Sequence, residues 1–405
     1  MRFLILTQYF YPEVGAPQVR LAALIRHLLQ LGHAVEVVTA LPNYPNGKIF
    51  SQYRGHFYWL EHWEGITVHR VWLYPATGAG LKRLFNYGSF MFTALWGLRQ
   101  VQKPDYIFVE SPPLFLGITA VWKAQRWQVP LIFNVADLWP DSVQALGLLR
   151  SRWLLTWAGR LEQWLYRKAS YVNAVTEGIQ RILVTEKQVP VEKILFLPNG
   201  VDTHIFQPQL PDIAWKAHLG LPTSHHIVLY TGTHGYAHGM EVILHAAVLL
   251  ADQEILFLLV GDGSEKAALQ QLCAHLKLNN VLFWPPQPVE TIARLYSLAR
   301  AGLSTLRDNP LFVSTRPAKI LAIMACAQAV IYSGQGEGAQ LIEAAQAGIV
   351  VAPQDPQALA AAIQRLVTDE AYAEKLGHNG RRYVEKHLQW SVVVDTWLKQ
   401  LTKTQ

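Results

Sequence analysis

The chain has 405 residues, more than one hydrophobic core usually spans, so two domains of roughly 150–200 residues each are expected. Hydrophobic residues make up 51% and charged residues 16%, with a net charge of +6; that balance suits an anionic partner such as a diphosphate or an acidic membrane surface and does not single out nucleic acid. Cys273 and Cys326 are the only cysteines, far apart in apolar helical patterns, which argues against a disulfide framework or a zinc site and reads as two buried thiols in a reducing, cytoplasmic compartment.

The N-terminal "MRFLILTQYFYPE" lacks the apolar core and cleavage site of a signal peptide and reads as a first buried strand. A helix with Leu21, Leu24, Ile25 and Leu28 on one face follows, then "AVEVVTA", "ITVHRVWL", "YIFVES", "PLIFNVA", "YVNAVT" and "ILFLPNG". Continuous apolar strands separated by helices specify an α/β class with a doubly wound parallel sheet. The apolar run from Leu84 to Leu98 is shorter than the ~18–20 residues of a membrane span and contains Asn86. The proline-bearing stretch "THIFQPQLPDIAWKAHLGLPTSHH" carries the expected domain boundary, with residues 1–205 before it and 206–388 after. The alternation restarts with "IVLYTGT", "EILFLLVGDG", "VLFWPP", "GLSTL", "AVIYSG" and "GIVVAP", a second sheet of the same kind facing the first across a cleft. In the last segment, residues 389–405, Trp390, Val393, Val394 and Trp397 recur at helical spacing, and the helix is expected to return to the first domain.

Ligands of parallel sheets sit beyond the carboxyl ends of the strands, so the turns there hold the candidate site. Gly15 precedes a helix whose free N–H groups favour an anion, although a glycine there also serves backbone geometry alone. Gly232, Thr233 and Gly235 in "TGTHGYAHG", and Gly261 and Gly263 in "VGDGSEKAAL", would let a phosphate approach backbone amides, with Lys266 nearby; neither matches a complete nucleotide-binding fingerprint. "GAGLKR" from Gly78 reads as an ordinary loop. Arg316 and Lys319 precede or begin a helix, and "GQGEGAQL" puts Glu337 before another helix start with the amides of Gly338 and Ala339; the basic pair and that amide-rich start make a diphosphate cradle, or Arg316 and Lys319 are solvated surface charges.

"YFYPEVGAPQVRL", "DLWPDSVQALGLL", "LPNGVDTHIFQP", "YTGTHGYAHGMEVIL", "LLVGDGSEKAAL", "STLRDNPLF…RPAKI" and "GEGAQLIEAAQAGIVVAPQDPQALAAAI" resemble, in order and over nearly the whole chain, the retaining family-4 glycosyltransferases. Closest is the subgroup that adds sugars to lipid-linked oligosaccharides in bacterial capsule, O-antigen and colanic-acid pathways. The resemblance implies a GT-B fold of two facing Rossmann-like domains, with a nucleotide-sugar donor on the C-terminal one and a saccharide or lipid-linked acceptor on the N-terminal one. It implies that Asp137 lies near the reacting centre and orients an acceptor hydroxyl, where the residues alone equally allow a helix cap. It implies that "FWPPQP", with Pro286, lines the base pocket, uracil being one base it could hold.

Many relatives carry Glu-x7-Glu where this chain has Ser314 and Ala322, so a carboxylate contact to the ribose is missing, worth about 1.5–3 kcal/mol, and the resemblance, which puts Glu337 near the donor, makes it the candidate replacement carboxylate for sugar or ribose hydroxyls. The family's Arg and Lys in the first glycine turn of the second domain are replaced by Thr233 and His238, which leaves Arg316, Lys319 and Lys266 to meet the diphosphate. No Asp-x-Asp occurs, so neither a metal nor another cofactor is expected. Fixed donors aimed at the β-phosphate stabilise the charge that develops as the anomeric C–O bond breaks, and the departing oxygen takes the acceptor's proton, as the retaining members imply. Lys82, Arg83, Arg167 and Lys168 flank aromatic stretches, with Trp153, Trp157, Leu161 and Trp164 on one helical face, which either rest on the inner face of an anionic membrane or form core. Two alternatives stand beside the transferase: a non-catalytic partner subunit of the same fold, and a sugar-nucleotide epimerase.

Overall fold

The computed structural model describes residues 1–13, 15–44, 46–76, 80–139 and 151–403. Gly78 and most of "DLWPDSVQALGLL", residues 140–150, lie outside the described residues. The chain divides into two compact units: Met1–Asn199 with Val393–Gln405, and Gly200–Val392.

The first unit holds β1 (Arg2–Leu6), β2 (Ala34–Ala40), β3 (Tyr58–Trp63), β4 (Ile66–Val71), β5 (Tyr106–Ser111), β6 (Leu131–Val135), β7 (Tyr171–Ala174) and β8 (Ile194–Phe196), in the sheet order β3-β4-β2-β1-β5-β6-β7-β8. Every residue of β5 and β6 is buried, as expected of strands covered on both faces by helices. One strand departs from the parallel reading. β3 pairs antiparallel with β4 through a two-residue turn at Glu64 and Gly65, whose φ values of 47° and 86° are the left-handed pair that closes a hairpin. As an edge strand β3 stays half exposed, so it never shows the continuous apolar run that marks its neighbours.

The second unit holds β9 (His226–Thr231), β10 (Ile255–Val260), β11 (Val281–Trp284), β12 (Ala299–Thr305), β13 (Ala329–Ser333) and β14 (Gly348–Val351), all parallel, in the order β11-β10-β9-β12-β13-β14. Its helices are locally encoded. Asp355 accepts the Ala358 N–H and Pro356 opens helix Pro356–Thr368, which buries Leu359, Ile363 and Leu366 at helical spacing. Each of those side chains contributes about 1.5–3 kcal/mol by leaving water. Asp369 caps Glu370–His387 and Asp212 caps Ile213–His218 in the same way.

The final helix, Trp390–Lys403, enters the first unit at Val393. There Trp397 is fully buried, its ring 6.1 Å from those of Phe3 and Phe108. Cys273 and Cys326 are buried free thiols.

Candidate active site

Five neighbouring strands of the second unit, β11, β10, β9, β12 and β13, end in the turns singled out above. The turns after β9 and β10 touch backbone to backbone. A Cβ on Gly261, at φ +151°, would stand 1.8 Å from the Gly232 carbonyl, and one on Gly263, at φ +158°, 2.4 Å from that of His234. Only glycine fits such an approach. Gly232 N–H donates to Val260 O at 2.9 Å and His234 N–H to Asp262 O at 2.8 Å, which locks the two turns together.

Lys319 reaches into this place from helix Ala318–Ala325. Its Nζ would lie 3.7 Å from a Cβ on Gly232, donates to the Tyr230 hydroxyl at 2.5 Å and stands 3.8 Å from that ring's centroid. The Tyr230 hydroxyl in turn donates to Thr233 O at 2.9 Å. Burial, with no carboxylate among the described residues in hydrogen-bonding contact, pushes the Lys319 ammonium down to about 7. Lys266 is placed differently from the sequence reading. Its ammonium donates to Gly261 O at 2.7 Å and Trp284 O at 3.3 Å, so it ties the β10 turn to β11 instead of facing an anion.

The turn after β13 is built around Tyr332. A Cβ on Gly334 or Gly338 would strike its ring at 2.5 and 2.8 Å, and Gly336, at φ +75°, lies against Val313 O. Glu337 N–H donates to Val313 O at 2.8 Å, so this amide is already occupied, while its side chain is buried at the first turn of helix Glu337–Ala345. The amides of Gly338 and Ala339 belong to the helix start, which lacks intrahelical acceptors. Arg316 and Ser314 are partly buried in the segment before helix Ala318–Ala325, Ala322 packs on the hydrophobic core, and Pro286 is exposed after β11.

The structure therefore brings Gly232, Thr233, Gly261 and Lys319 together and puts Arg316, Glu337, Gly338, Ala339 and Pro286 on the same edge of the second sheet. Gly15 and Asp137 belong to the first unit. Gly15 is the N-cap of helix Ala16–Gln30 with extended backbone, and Asp137 is exposed just beyond β6.

Glu110, at the end of "FVES", is a weaker candidate of the sequence reading, whereas Asn134, Asn173, Arg20 and Glu13 of the first unit escaped it. Glu110, Asn134 and Asn173 stand side by side in the register of β5, β6 and β7. Trp397 Nε1 donates to Asn173 Oδ1 at 3.1 Å, Asn173 Nδ2 to Asn134 Oδ1 at 2.6 Å, and Asn134 Nδ2 to Glu110 Oε2 at 2.7 Å, and Arg20 closes the row as the ion-pair partner of Glu110. Glu13, in the turn after β1, accepts the N–H groups of Asn43 and Tyr44, each at 2.7 Å, and burial raises its carboxyl to about 7 against those bonds. A lone Asn in each of two apolar strands was the available signal.

Residues 15–200 match the family model described as glycosyl transferase 4-like domain, and residues 225–369 the model described as glycosyl transferases group 1. The chain is 26% identical over 413 residues to a protein of Escherichia coli K12 named putative colanic acid biosynthesis glycosyl transferase, covering 99% of this chain and 100% of the relative. Sucrose-phosphate synthase from Thermosynechococcus elongatus superposes with a TM-score of 0.79 at 21% identity, covering 99% of this chain and 98% of the other. Anabaena HepE, solved in complex with UDP, superposes with a TM-score of 0.76 at 16% identity over 100% of both chains. With both halves matched in order, on two α/β sheets, this chain belongs to the family-4 glycosyltransferases of the GT-B fold.

Proposed function

We propose that this glycosyltransferase moves a sugar from a nucleoside diphosphate to a saccharide acceptor, lipid-linked in its physiological form, with retention of configuration, in cell-surface polysaccharide synthesis. The observation that carries the reading is the Lys319 ammonium beside the glycine turn at Gly232. The colanic-acid name of the E. coli relative and the UDP bound to HepE support the pathway and the donor class. Lys319 and Arg316 meet the diphosphate with the amides of the Gly232 turn and of Gly338 and Ala339. Their charge favours the transition state, in which the β-phosphate oxygen gains an electron pair from the breaking anomeric bond. That oxygen then accepts the proton of the attacking hydroxyl on the same face, so the site works without a metal or a separate protein base. Glu337, buried at its helix start, orients hydroxyls of the donor, and Asp137 those of the acceptor. Pro286 borders the base.

The test begins with thermal shifts across UDP-, GDP-, ADP- and dTDP-sugars, followed by transfer to a lipid extract with and without chelator. Lys319→Ala is expected to weaken donor binding by at least ~1.5 kcal/mol, and Glu337→Gln to lose turnover while folding normally. An unchanged dissociation constant for Lys319→Ala removes that assignment. A wild-type protein that binds or turns over no member of the panel favours the second reading, a non-catalytic subunit, for which Ser314 and Ala322 in place of acids are the specific observation.

A further inference from the structure

Three basic side chains surround the ring of Tyr230 at the carboxyl end of β9. Lys319 Nζ stands 3.8 Å from its centroid, the His234 ring 5.8 Å and the His238 ring 6.3 Å. His234 is wholly buried beneath the turns after β9 and β10, and neither of its nitrogens has a hydrogen-bond partner. Its Nε2 would lie 3.1 Å from a Cβ on Gly261. His238 is partly buried, with Nδ1 3.4 Å from Thr305 O.

The surrounding charges are otherwise engaged. Lys266 is held by two carbonyls, and the Arg307 guanidinium is paired with Glu241 and bonded to Tyr236 O. Asp262 is exposed, with Oδ1 accepting the Gly263 N–H. Tyr296 shares a hydrogen bond with Thr231. Among the described residues no hydrogen bond or ion pair joins Lys319, His234 or His238 to a carboxylate. Burial, and then the charge of neighbouring lysines, holds His234 at about 4 and His238 at about 3; burial alone holds Lys319 at about 7. At neutral pH three bases thus share less than one proton, in a place walled by glycine turns and open on the side of Gly232, which is exposed.

We propose that His238 is a donor-binding residue that acts with Lys319, and with His234 beneath the turns, as a proton-accepting cradle: the cluster takes up protons as the diphosphate enters. His238 contacts the phosphate, and His234 acts through its charge from below the turns. An entering diphosphate raises the proton affinity of all three bases, because its negative charge supplies what the cluster lacks. This rests on the reading that the donor is a nucleoside diphosphate sugar. The diphosphate of such a donor is a diester with no group of its own titrating near neutrality, so any proton taken up belongs to the protein.

The experiment is calorimetric titration of the full chain with whichever sugar nucleotide of the panel binds, between about pH 6 and 9, in buffers of differing ionisation enthalpy. Net uptake of roughly half to one proton near pH 7.5 is expected, with affinity rising as pH falls. Lys319→Arg, which keeps the charge without titrating, should retain uptake at the acidic end, and His238→Gln should reduce it there. Binding with no buffer dependence at any pH overturns the cradle and leaves the donor reading intact. Uptake abolished by Lys319→Arg at every pH, and unmoved by His238→Gln, overturns the role of the histidines. Absence of binding by every sugar nucleotide overturns both readings.

Discussion

Glu13 shows how a single buried group governs the pH response of its surroundings. Its folded-state proton is held up to about pH 7, whereas the unfolded chain releases it near the ordinary value of 4.5. The folded protein therefore binds more protons between those values, and the stability that this group contributes is complete below about pH 4.5 and lost as pH rises through 7. Glu13→Gln keeps an oxygen for the Asn43 and Tyr44 N–H groups without a charge to bury. It is expected to match the wild type in acid and to exceed it by up to about 3 kcal/mol above pH 7, in denaturant titrations at several pH values. Parallel pH curves for the two proteins would refute this. The importance of Glu13 was hidden in the sequence, because nothing local to "PEV" shows which N–H groups the fold brings to its carboxylate.

At the scale of elements, the glycines divide into those required by contact and those that are incidental. Gly261→Ala would drive a methyl group into the Gly232 carbonyl at a strained φ, and a loss of about 2–4 kcal/mol together with loss of donor binding is expected. Gly159, inside helix Arg152–Lys168 with nothing within 4 Å of its added Cβ, is the control: Gly159→Ala should gain up to about 1 kcal/mol. Urea titrations separate the two, and equal effects would contradict the geometry. The closing helix makes a further element-scale case. Trp397→Phe leaves Asn173 Oδ1 without its indole donor inside the sheet, which should cost about 1–3 kcal/mol of first-unit stability, read as a lower midpoint of unfolding. An unchanged midpoint would show that the row of buried amides tolerates a missing member. The helix itself was readable from the spacing of Trp390, Val393, Val394 and Trp397, whereas the strand register that aligns Asn173 with Asn134 and Glu110 was not.

For the molecule as a whole, no described helix is long and apolar enough to cross a membrane, yet the first unit exposes large apolar side chains in two stripes. On helix Leu81–Gln100, Leu81, Phe85, Phe92 and Trp96 recur along one line, with Phe85 68% and Phe92 67% exposed. On helix Arg152–Lys168 the tryptophan stripe splits. Trp153, 72% exposed, and Trp157 face outward, while Leu161 and Trp164 pack on the core. Aromatics in such positions beside basic residues suit an anionic lipid surface, where ring burial and charge attraction act together. Sedimentation with anionic vesicles is expected to carry the protein down, and the combined change of Phe85, Phe92 and Trp153 to Ser to release it. Retention of the wild type in the supernatant with both anionic and neutral vesicles would exclude this mode of attachment.

The sequence by itself determined the fold class, the places of nearly all strands along the chain and the positions of the candidate turns, because apolar continuity, helical spacing and glycine are local properties. The antiparallel edge strand β3 escaped it, since an edge strand lacks the apolar continuity that burial on two faces imposes. Tertiary structure alone decided what each candidate side chain meets. Lys319 and Lys266 look equivalent in the sequence, yet one lies against Tyr230 with a depressed ammonium and the other is spent on two carbonyls. His238 shows in the sequence only as a replacement in the glycine turn and His234 gives no signal there, until the fold brings both around one ring with Lys319. Charge state follows from burial and from neighbours distant in the chain, and these exist only once the sheet has formed.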